Sequence, residues 1–272
     1  MTRNDIIESA RAFTDSSEIN RIPGQVALKP EYAGIKMFEA PIFAFGAADD
    51  DIFERFKSPE IIGGIFMAPA EWMPGAKTVI SFFLPYTDRI KSSNAKNDGR
   101  PSDEWLHGRY EGQKFVQALA LHIYGELTSA GHKSLIPAND ERCKTGDGPN
   151  GFASSWSERH VAFACGLGTF GLSRGLITES GVCGRFGSIL TELDLPRDQR
   201  PYGGVYEYCI MCGACARRCP AGAITKENGK DNNACSDFLD KTIEMFNPRY
   251  GCGKCQTKTP CESRAPKPRA RG

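Results

Sequence analysis

The pattern of hydrophobic positions over the first 200 residues predicts helices that alternate with short strands. Apolar residues recur every four positions from Phe115 to Leu127, and Gly131 follows them, which predicts a long helix. A first helix is predicted near the N-terminus, with Asn4 as its cap. The predicted helices span residues 4–13, 50–56, 104–130 and 155–165.

Short apolar runs that end at glycine or proline predict buried strands between these helices. The polar stretch 90–103 breaks the pattern, and we expect it to be an exposed loop. Helices and strands together predict a mixed α/β (α+β) core that ends near residue 200. The predicted strands are 41–46, 78–84 and 132–137, with one or two more in 172–195 around the turn Ser180–Gly181.

Composition excludes several classes of protein. The chain has 272 residues and a net charge of +1, which predicts one or two globular domains and no general affinity for nucleic acid or membranes. No apolar run approaches the ~18 residues of a membrane span, and the N-terminus lacks the apolar core of a signal peptide. We therefore expect a cytoplasmic protein.

Cysteine is the unusual component. The chain has 11 cysteines, an odd number, and eight of them lie within 209–261. In a chain without a secretion signal this favours metal or redox chemistry over a disulfide scaffold.

The segment Cys209–Pro220, CIMCGACARRCP, has the spacing C-x2-C-x2-C-x3-C-P of bacterial ferredoxins. In that motif the first three thiolates bind one [4Fe–4S] cluster, and the fourth binds its neighbour. We therefore predict two clusters in the C-terminal segment. The predicted ligands are Cys209, Cys212, Cys215 and Cys261 for the first cluster, and Cys219, Cys235, Cys252 and Cys255 for the second.

Zinc is the alternative for this segment, because C-x2-C pairs also bind zinc. The second half departs from a standard ferredoxin repeat, since five residues separate Cys255 from Cys261 and Glu262 replaces the usual proline. One cluster with a zinc or vacant second site is thus a further possibility.

Three stretches resemble the epoxyqueuosine reductases, a cobalamin-dependent family allied to the reductive dehalogenases. They are ERHVAFACGLGTFGLSRGLITESGVCGRFGSILTELDLP, CIMCGACARRCPAGAI and CSDFLDKTIE. The resemblance covers roughly 35–262. It implies a nitroreductase-like, corrinoid-binding core over 1–200 and a ferredoxin-like domain with two [4Fe–4S] clusters over 201–262. The basic composition of the tail predicts that 263–272 are disordered.

The same resemblance implies a glycine-rich rim around a large planar cofactor, because glycine lets the backbone approach closely. The alternative is that these glycines serve turns in a tightly wound sheet. Residues 166–171 also match G-x-G-x-x-G, but the motif follows a helix here, which argues against a dinucleotide site. The candidate cofactor-binding residues are Gly166, Gly168, Gly171, Arg174, Gly184 and Gly187.

The family's catalytic stretch, roughly Gly-Arg-Asp-Tyr-His, is altered in this chain. The matching residues 108–112 read GRYEG, so the expected acid is missing. Tyr110 or Glu111 is the candidate proton donor, and a solvated helix start is the alternative. The tRNA-recognition repeats of the family do not follow Cys261, so we do not expect tRNA to be the substrate.

Two hypotheses for function follow from the resemblance. In the first, two clusters deliver electrons to a cobalamin in the core, which reduces a small molecule, and a ferredoxin or flavodoxin supplies the electrons. In the second, the chain binds no corrinoid and passes electrons to a metalloprotein, such as a corrinoid protein. A flavin in the core is a third possibility.

Overall fold

The computed structural model describes residues 1–96, 99–149 and 151–266. Its helices are α1 (Arg3–Ser16), α2 (Ile52–Arg55), α3 (Pro69–Trp72), α4 (Asp88–Lys96), α5 (Asp103–Ser129), α6 (Glu158–Cys165), α7 (Ala214–Arg217) and α8 (Asn232–Phe246). Its strands are β1 (Ile42–Ala47), β2 (Thr78–Pro85), β3 (Ser134–Leu135), β4 (Thr145–Gly146), β5 (Ala153–Ser154), β6 (Gly168–Phe170), β7 (Leu176–Thr178), β8 (Gly184–Thr191), β9 (Ile224–Thr225) and β10 (Gly229–Lys230).

An antiparallel sheet with the order β1-β2-β8-β3 forms the centre of the core. All eight residues of β2 are buried, because hydrophobic clusters cover both faces of the sheet. Alternate side chains of β2 belong to different clusters, with Ile80 and Phe82 on one face and Val79 and Phe83 on the other. This period of two is that of a strand buried on both sides.

Helix α5 covers one face of the sheet together with α1, and α6 covers the other. The predicted stripe from Phe115 to Leu127 is completely buried in the first cluster. Helix α6 ends at Gly166, whose φ of 104° is left-handed and typical of a helix C-cap. The mixed α/β fold is therefore confirmed.

Two local predictions were wrong. The first helix is capped by Thr2, whose hydroxyl accepts a hydrogen bond from the Asp5 backbone, and not by Asn4. The segment predicted as an exposed loop contains α4, in which Ile90 and Asn94 are fully buried. Its polar side chains face protein: Asn94 Nδ2 donates to the carbonyl of Cys252 at 3.0 Å. The polar side chains of this segment thus belong to an interface between the core and the cysteine-rich segment.

The cysteine-rich segment packs against the core. The carbonyls of Cys261 and Glu262 accept hydrogen bonds from the backbone of Val182 and Cys183 at 2.8 and 3.2 Å. Ser263 accepts a hydrogen bond from Lys91 at 2.8 Å. The predicted disordered tail lies largely outside the described residues, since 267–272 are not among them. No helix of the described chain is long and apolar enough to cross a membrane.

Candidate cluster sites and the adjoining cavity

The loop from Cys209 to Cys215 turns tightly because two residues adopt left-handed backbone conformations. Met211 has a φ of 48° and Gly213 a φ of 71°. A side chain at Gly213 would start 2.7 Å from Lys226 Cε, so this position favours glycine for both reasons. Such a loop turns three cysteines towards a common centre.

Four thiols form the first set: Cys209, Cys212, Cys215 and Cys261. Burial, together with the neighbouring Cys261, Cys209 and Cys212, raises the pKa of Cys215 to about 11. The pKa of Cys261 is raised by burial and then by Cys209 and Cys212, although Thr259 opposes the shift. The structure therefore brings Cys261 to the three cysteines of the loop, across about 50 residues of chain.

The other four thiols form the second set: Cys219, Cys235, Cys252 and Cys255. Cys252 interacts with Cys219 and Cys235, and Cys255 interacts with Cys252 and Cys235. Cys255 also interacts with Cys215, so the two sets are neighbours. No three histidine, cysteine or carboxylate side chains of the described residues converge as ligands of one metal ion. The thiolates of a cubane bind separate irons and stand further apart.

A cavity of about 480 Å³ adjoins both the second set and the central sheet. All four thiols of that set line it, and so do residues 184–188 of β8. Tyr86 and Trp105 contribute aromatic walls. A space of this size is typical of a small-molecule site.

Basic side chains dominate the charged lining of this cavity: Arg109, Arg159, Arg185 and Lys230. Burial, together with the nearby Arg109, lowers the pKa of Arg185 to about 10. Arg185 also donates a hydrogen bond to Gln113. Arg109 is held over the ring of Tyr250, 4.7 Å from its centroid. The cavity is therefore suited to an anionic ligand.

Glu158 is the one carboxylic acid in the described lining. It is the first residue of α6 and is half-buried. Burial raises the pKa of Glu158 to about 7, even though hydrogen bonds from Ser188 and Trp156 oppose the shift. Ser188 Oγ donates to Glu158 at 2.7 Å and itself accepts from Trp156 Nε1 at 2.9 Å. A carboxyl with this pKa can hold a proton near neutral pH.

Of the predicted cofactor-binding residues, Gly184 and Gly187 line the cavity. Gly166, Gly168, Gly171 and Arg174 lie within the described ranges but are not part of this lining, and their role in cofactor binding stays a prediction. Gly168 and Gly171 instead permit the tight pairing of β6 with β7; a side chain at Gly168 would start 2.0 Å from the carbonyl oxygen of Ile177. Gly168 and Gly171 therefore have a structural role between these two strands.

Neither predicted proton donor lines the cavity, as far as the described residues define it. Tyr110 is half-buried and packs its ring beside Lys114. Glu111 is buried in an ion pair: Arg249 Nη2 lies 2.7 Å and Arg249 Nε 3.1 Å from its two oxygens. His107 Nδ1 lies 3.0 Å from the same carboxylate. Glu111 is thus fully engaged and joins the core to the cysteine-rich segment.

Two residues of the cavity, Glu158 and Trp105, were not predicted from the sequence. Glu158 lies eight residues before the glycine motif, inside a stretch that carries the family resemblance, so its position was the available signal. Trp105 looked like an ordinary apolar residue at the start of the long helix. Its place beside the second set of thiols depends on tertiary packing alone.

Comparison with known protein families matches residues 205–225 to the 4Fe-4S binding domain. The chain is 25% identical to the epoxyqueuosine reductase of Bacillus cereus over 209 residues, which cover 71% of this chain and 50% of that protein. It is 29% identical to that of Vibrio cholerae over 211 residues, covering 73% of this chain and 53% of the relative. The chain is related to the epoxyqueuosine reductases. It spans about half the length of these curated relatives.

Solved structures of epoxyqueuosine reductases share this fold. A selenomethionine-labelled epoxyqueuosine reductase has a TM-score of 0.56 at 19% identity, covering 98% of this chain and 69% of that one. An epoxyqueuosine reductase with a tRNA-Tyr epoxyqueuosine-modified stem loop has a TM-score of 0.57 at 18% identity, covering 96% and 65%. A reductive dehalogenase described as B12-dependent has a TM-score of 0.54 at 14% identity, covering 83% and 30%.

Proposed function

We propose that this chain is an iron–sulfur reductase in which two [4Fe–4S] clusters deliver electrons to a cobalamin-type cofactor at the cavity, where a small molecule is reduced. One observation carries the proposal: the four thiols of the second set and residues 184–188 of the central sheet line the same cavity. An electron that reaches the cluster held by these thiols would therefore be next to a ligand bound in the cavity.

The donor sets fit two cubanes. Each set supplies four thiols, and the 4Fe-4S family match includes the first four cysteines of the motif. Their ligand roles follow the two sets: Cys209, Cys212, Cys215 and Cys261 for the first cluster, and Cys219, Cys235, Cys252 and Cys255 for the second. The electrostatic interaction of Cys215 with Cys255 places the two sets close together, which supports electron transfer from one cluster to the other.

The cavity supports a cofactor through its glycine-lined wall, where Gly175, Gly184 and Gly187 expose backbone. Its 480 Å³ is less than a whole cobalamin occupies, so such a cofactor would extend beyond this enclosed space. When bound, the cofactor would supply the low-potential metal at which the substrate is reduced. Arg185 and Arg109 would orient an anionic substrate against it.

Glu158 replaces Tyr110 and Glu111 as the proposed proton donor. Its carboxyl is the acid that faces the cavity, and Ser188 fixes one of its oxygens. The pKa of about 7 leaves a large protonated fraction at neutral pH. Substrate reduction that consumes a proton would draw it from Glu158.

A low-potential donor protein, of the ferredoxin or flavodoxin kind, is the proposed partner. A second depression borders Cys219 and Pro220 and is lined by Arg217, Arg218, Lys254 and Lys258. Positive charge beside a cluster ligand favours an acidic partner and steers its association. Electron transfer to this chain should slow as ionic strength rises.

The deciding experiment is an anaerobic titration of the cluster-loaded chain with hydroxocobalamin, followed by visible and EPR spectra. We expect about eight irons per chain and saturable cobalamin binding with a changed cobalt spectrum. Eight irons without cobalamin binding would reject the cobalamin proposal and leave the electron-transfer alternative, in which the acceptor is another protein. Adding the modified tRNA stem loop tests whether this chain shares the substrate of the relative that binds it.

The Glu158→Gln variant tests the proton donor. It keeps the size of the side chain and its hydrogen bond from Ser188 but cannot release a proton. Turnover of the wild type should fall as pH rises through about 7, because Glu158 loses its proton there, and the variant should lose this pH dependence together with most of its turnover. Unchanged turnover in Glu158→Gln would exclude this role.

A further inference from the structure

The indole N–H of Trp105 is a buried donor without an acceptor among the described residues. The chain has two other tryptophans, and both have partners. Trp72 Nε1 donates to the carbonyl of Met67 at 3.1 Å, and Trp156 Nε1 donates to Ser188 at 2.9 Å. Trp105 is only 3% exposed. Because an unpaired buried donor carries its full desolvation cost, a bound group is the expected acceptor.

Trp105 lies directly on the loop that holds Cys252 and Cys255. A side chain at Gly253 would start 1.9 Å from Trp105 Cζ2 and 2.1 Å from Cε2, the carbon bonded to Nε1. Gly253 also has a left-handed φ of 66°. Only glycine permits this approach, and it brings the indole carbons next to Nε1 into contact with the loop.

The loop and the ring are both fixed in place. Asn94 Nδ2 donates to the carbonyl of Cys252 at 3.0 Å, and Lys254 Nζ donates to the backbone carbonyl of Asn94 at 2.7 Å. The ring of Tyr86 packs against Trp105, with the centroids 5.0 Å apart. The direction of the N–H is therefore set before any ligand binds.

We propose that the Trp105 indole N–H donates a hydrogen bond to an inorganic sulfide of the second cluster and thereby raises the reduction potential of that cluster. The inference rests on the second ligand set proposed above. One-electron reduction adds negative charge to the sulfurs, which strengthens a hydrogen bond that they accept. Hydrogen bonds to cluster sulfurs are an established determinant of cluster potential. Trp105 would thus make the second cluster easier to reduce.

The test is an anaerobic redox titration of the cluster-loaded full chain, with EPR detection. Trp105→Phe removes the N–H but keeps an aromatic ring over Gly253. We expect one of the two midpoint potentials to fall by a threefold change in the reduction equilibrium, about 28 mV at 59 mV per tenfold, while the other stays constant. Cys235→Ser should move the same potential, which assigns it to the second cluster. Trp72→Phe is the matched control and should move neither.

A second measurement keeps the inference testable if Trp105→Phe fails to assemble its clusters. In wild-type protein labelled with ¹⁵N-indole tryptophan, pulsed EPR of the reduced clusters should detect one coupled indole nitrogen. Two intact clusters with unchanged potentials in Trp105→Phe, or no coupled indole nitrogen, would overturn the inference but leave the cluster proposal standing. An iron content of about four per wild-type chain would instead show that the second cluster is absent.

Discussion

Variants of the ion pair between Glu111 and Arg249 can distinguish a structural role of Glu111 from a catalytic one. Both side chains are almost inaccessible, with 4% and 8% exposure. Arg249 also donates to the carbonyl of Val26 at 2.6 Å, and His107 lies beside the carboxylate. Burial opposes ionisation of Glu111, but the hydrogen bonds from His107 and Arg249 outweigh it and lower the pKa. The pair therefore remains charged at neutral pH.

Arg249→Met leaves the Glu111 carboxylate buried without its cation. Removing one partner of a buried ion pair costs about 3–5 kcal/mol. At about 2.1 cal/mol/K per residue, unfolding of a chain this long has an entropy of about 0.57 kcal/mol/K, so Tm should fall by about 5–9 °C. Glu111→Gln should lower Tm in the same direction. Replacing both residues, with Glu111→Leu and Arg249→Met, should recover part of the loss, because no unpaired charge remains.

The assay is thermal unfolding of the cluster-loaded protein under anaerobic conditions, followed by far-UV circular dichroism at one scan rate. Asp15→Asn is the control, because Asp15 is 83% exposed and its ion pair with Lys36 should contribute less than about 1 kcal/mol. The lowered pKa of Glu111 means that its contribution is complete above the ordinary carboxyl range and is lost only as pH falls through the lowered value. The loss of Tm should thus be equal at pH 6 and pH 8.

A Glu111→Gln variant with unchanged Tm and abolished turnover would refute this reasoning. That result would return Glu111 to the role of proton donor that the sequence suggested. The structural role predicts the opposite pattern, in which Tm falls and turnover per loaded chain persists. Glu158→Gln should show the complementary pattern, since its side chain faces a cavity and carries no ion pair between segments.

Two further predictions concern packing and the clusters. Gly187→Ala should lower the free energy of unfolding by about 1–3 kcal/mol, because the added carbon would start 2.4 Å from Phe82 Cζ. Gly64→Ala is the control, because a side chain there would meet nothing within 4 Å. Urea unfolding measures the stability of both variants. Cys235→Ala should reduce the iron content from about eight to about four per chain. Cys143→Ala is the control and should keep all the iron. Equal iron loss in both variants would contradict the proposed ligand sets.

Local sequence was sufficient for features that depend on spacing and periodicity. The four-residue repeat from Phe115 to Leu127 predicted α5 almost to the residue, because one face of a helix must be apolar to pack against a sheet. The apolar run 78–84 predicted the central strand. The C-x2-C-x2-C-x3-C-P motif predicted an iron–sulfur segment, because three thiolates at this spacing can bind the same cubane.

Tertiary structure decided which residues face the cavity and which groups pair across the chain. Glu158 and Cys219 are about 60 residues apart, and their meeting depends on how the cysteine-rich segment folds back onto the core. The polar segment 90–103 looked solvated, yet Asn94 is buried because its hydrogen-bond partners arrive from residues 252–254. The ionisation state of a side chain, its burial and an N–H without an acceptor depend on the packed environment, so neither residue identity nor spacing could reveal them.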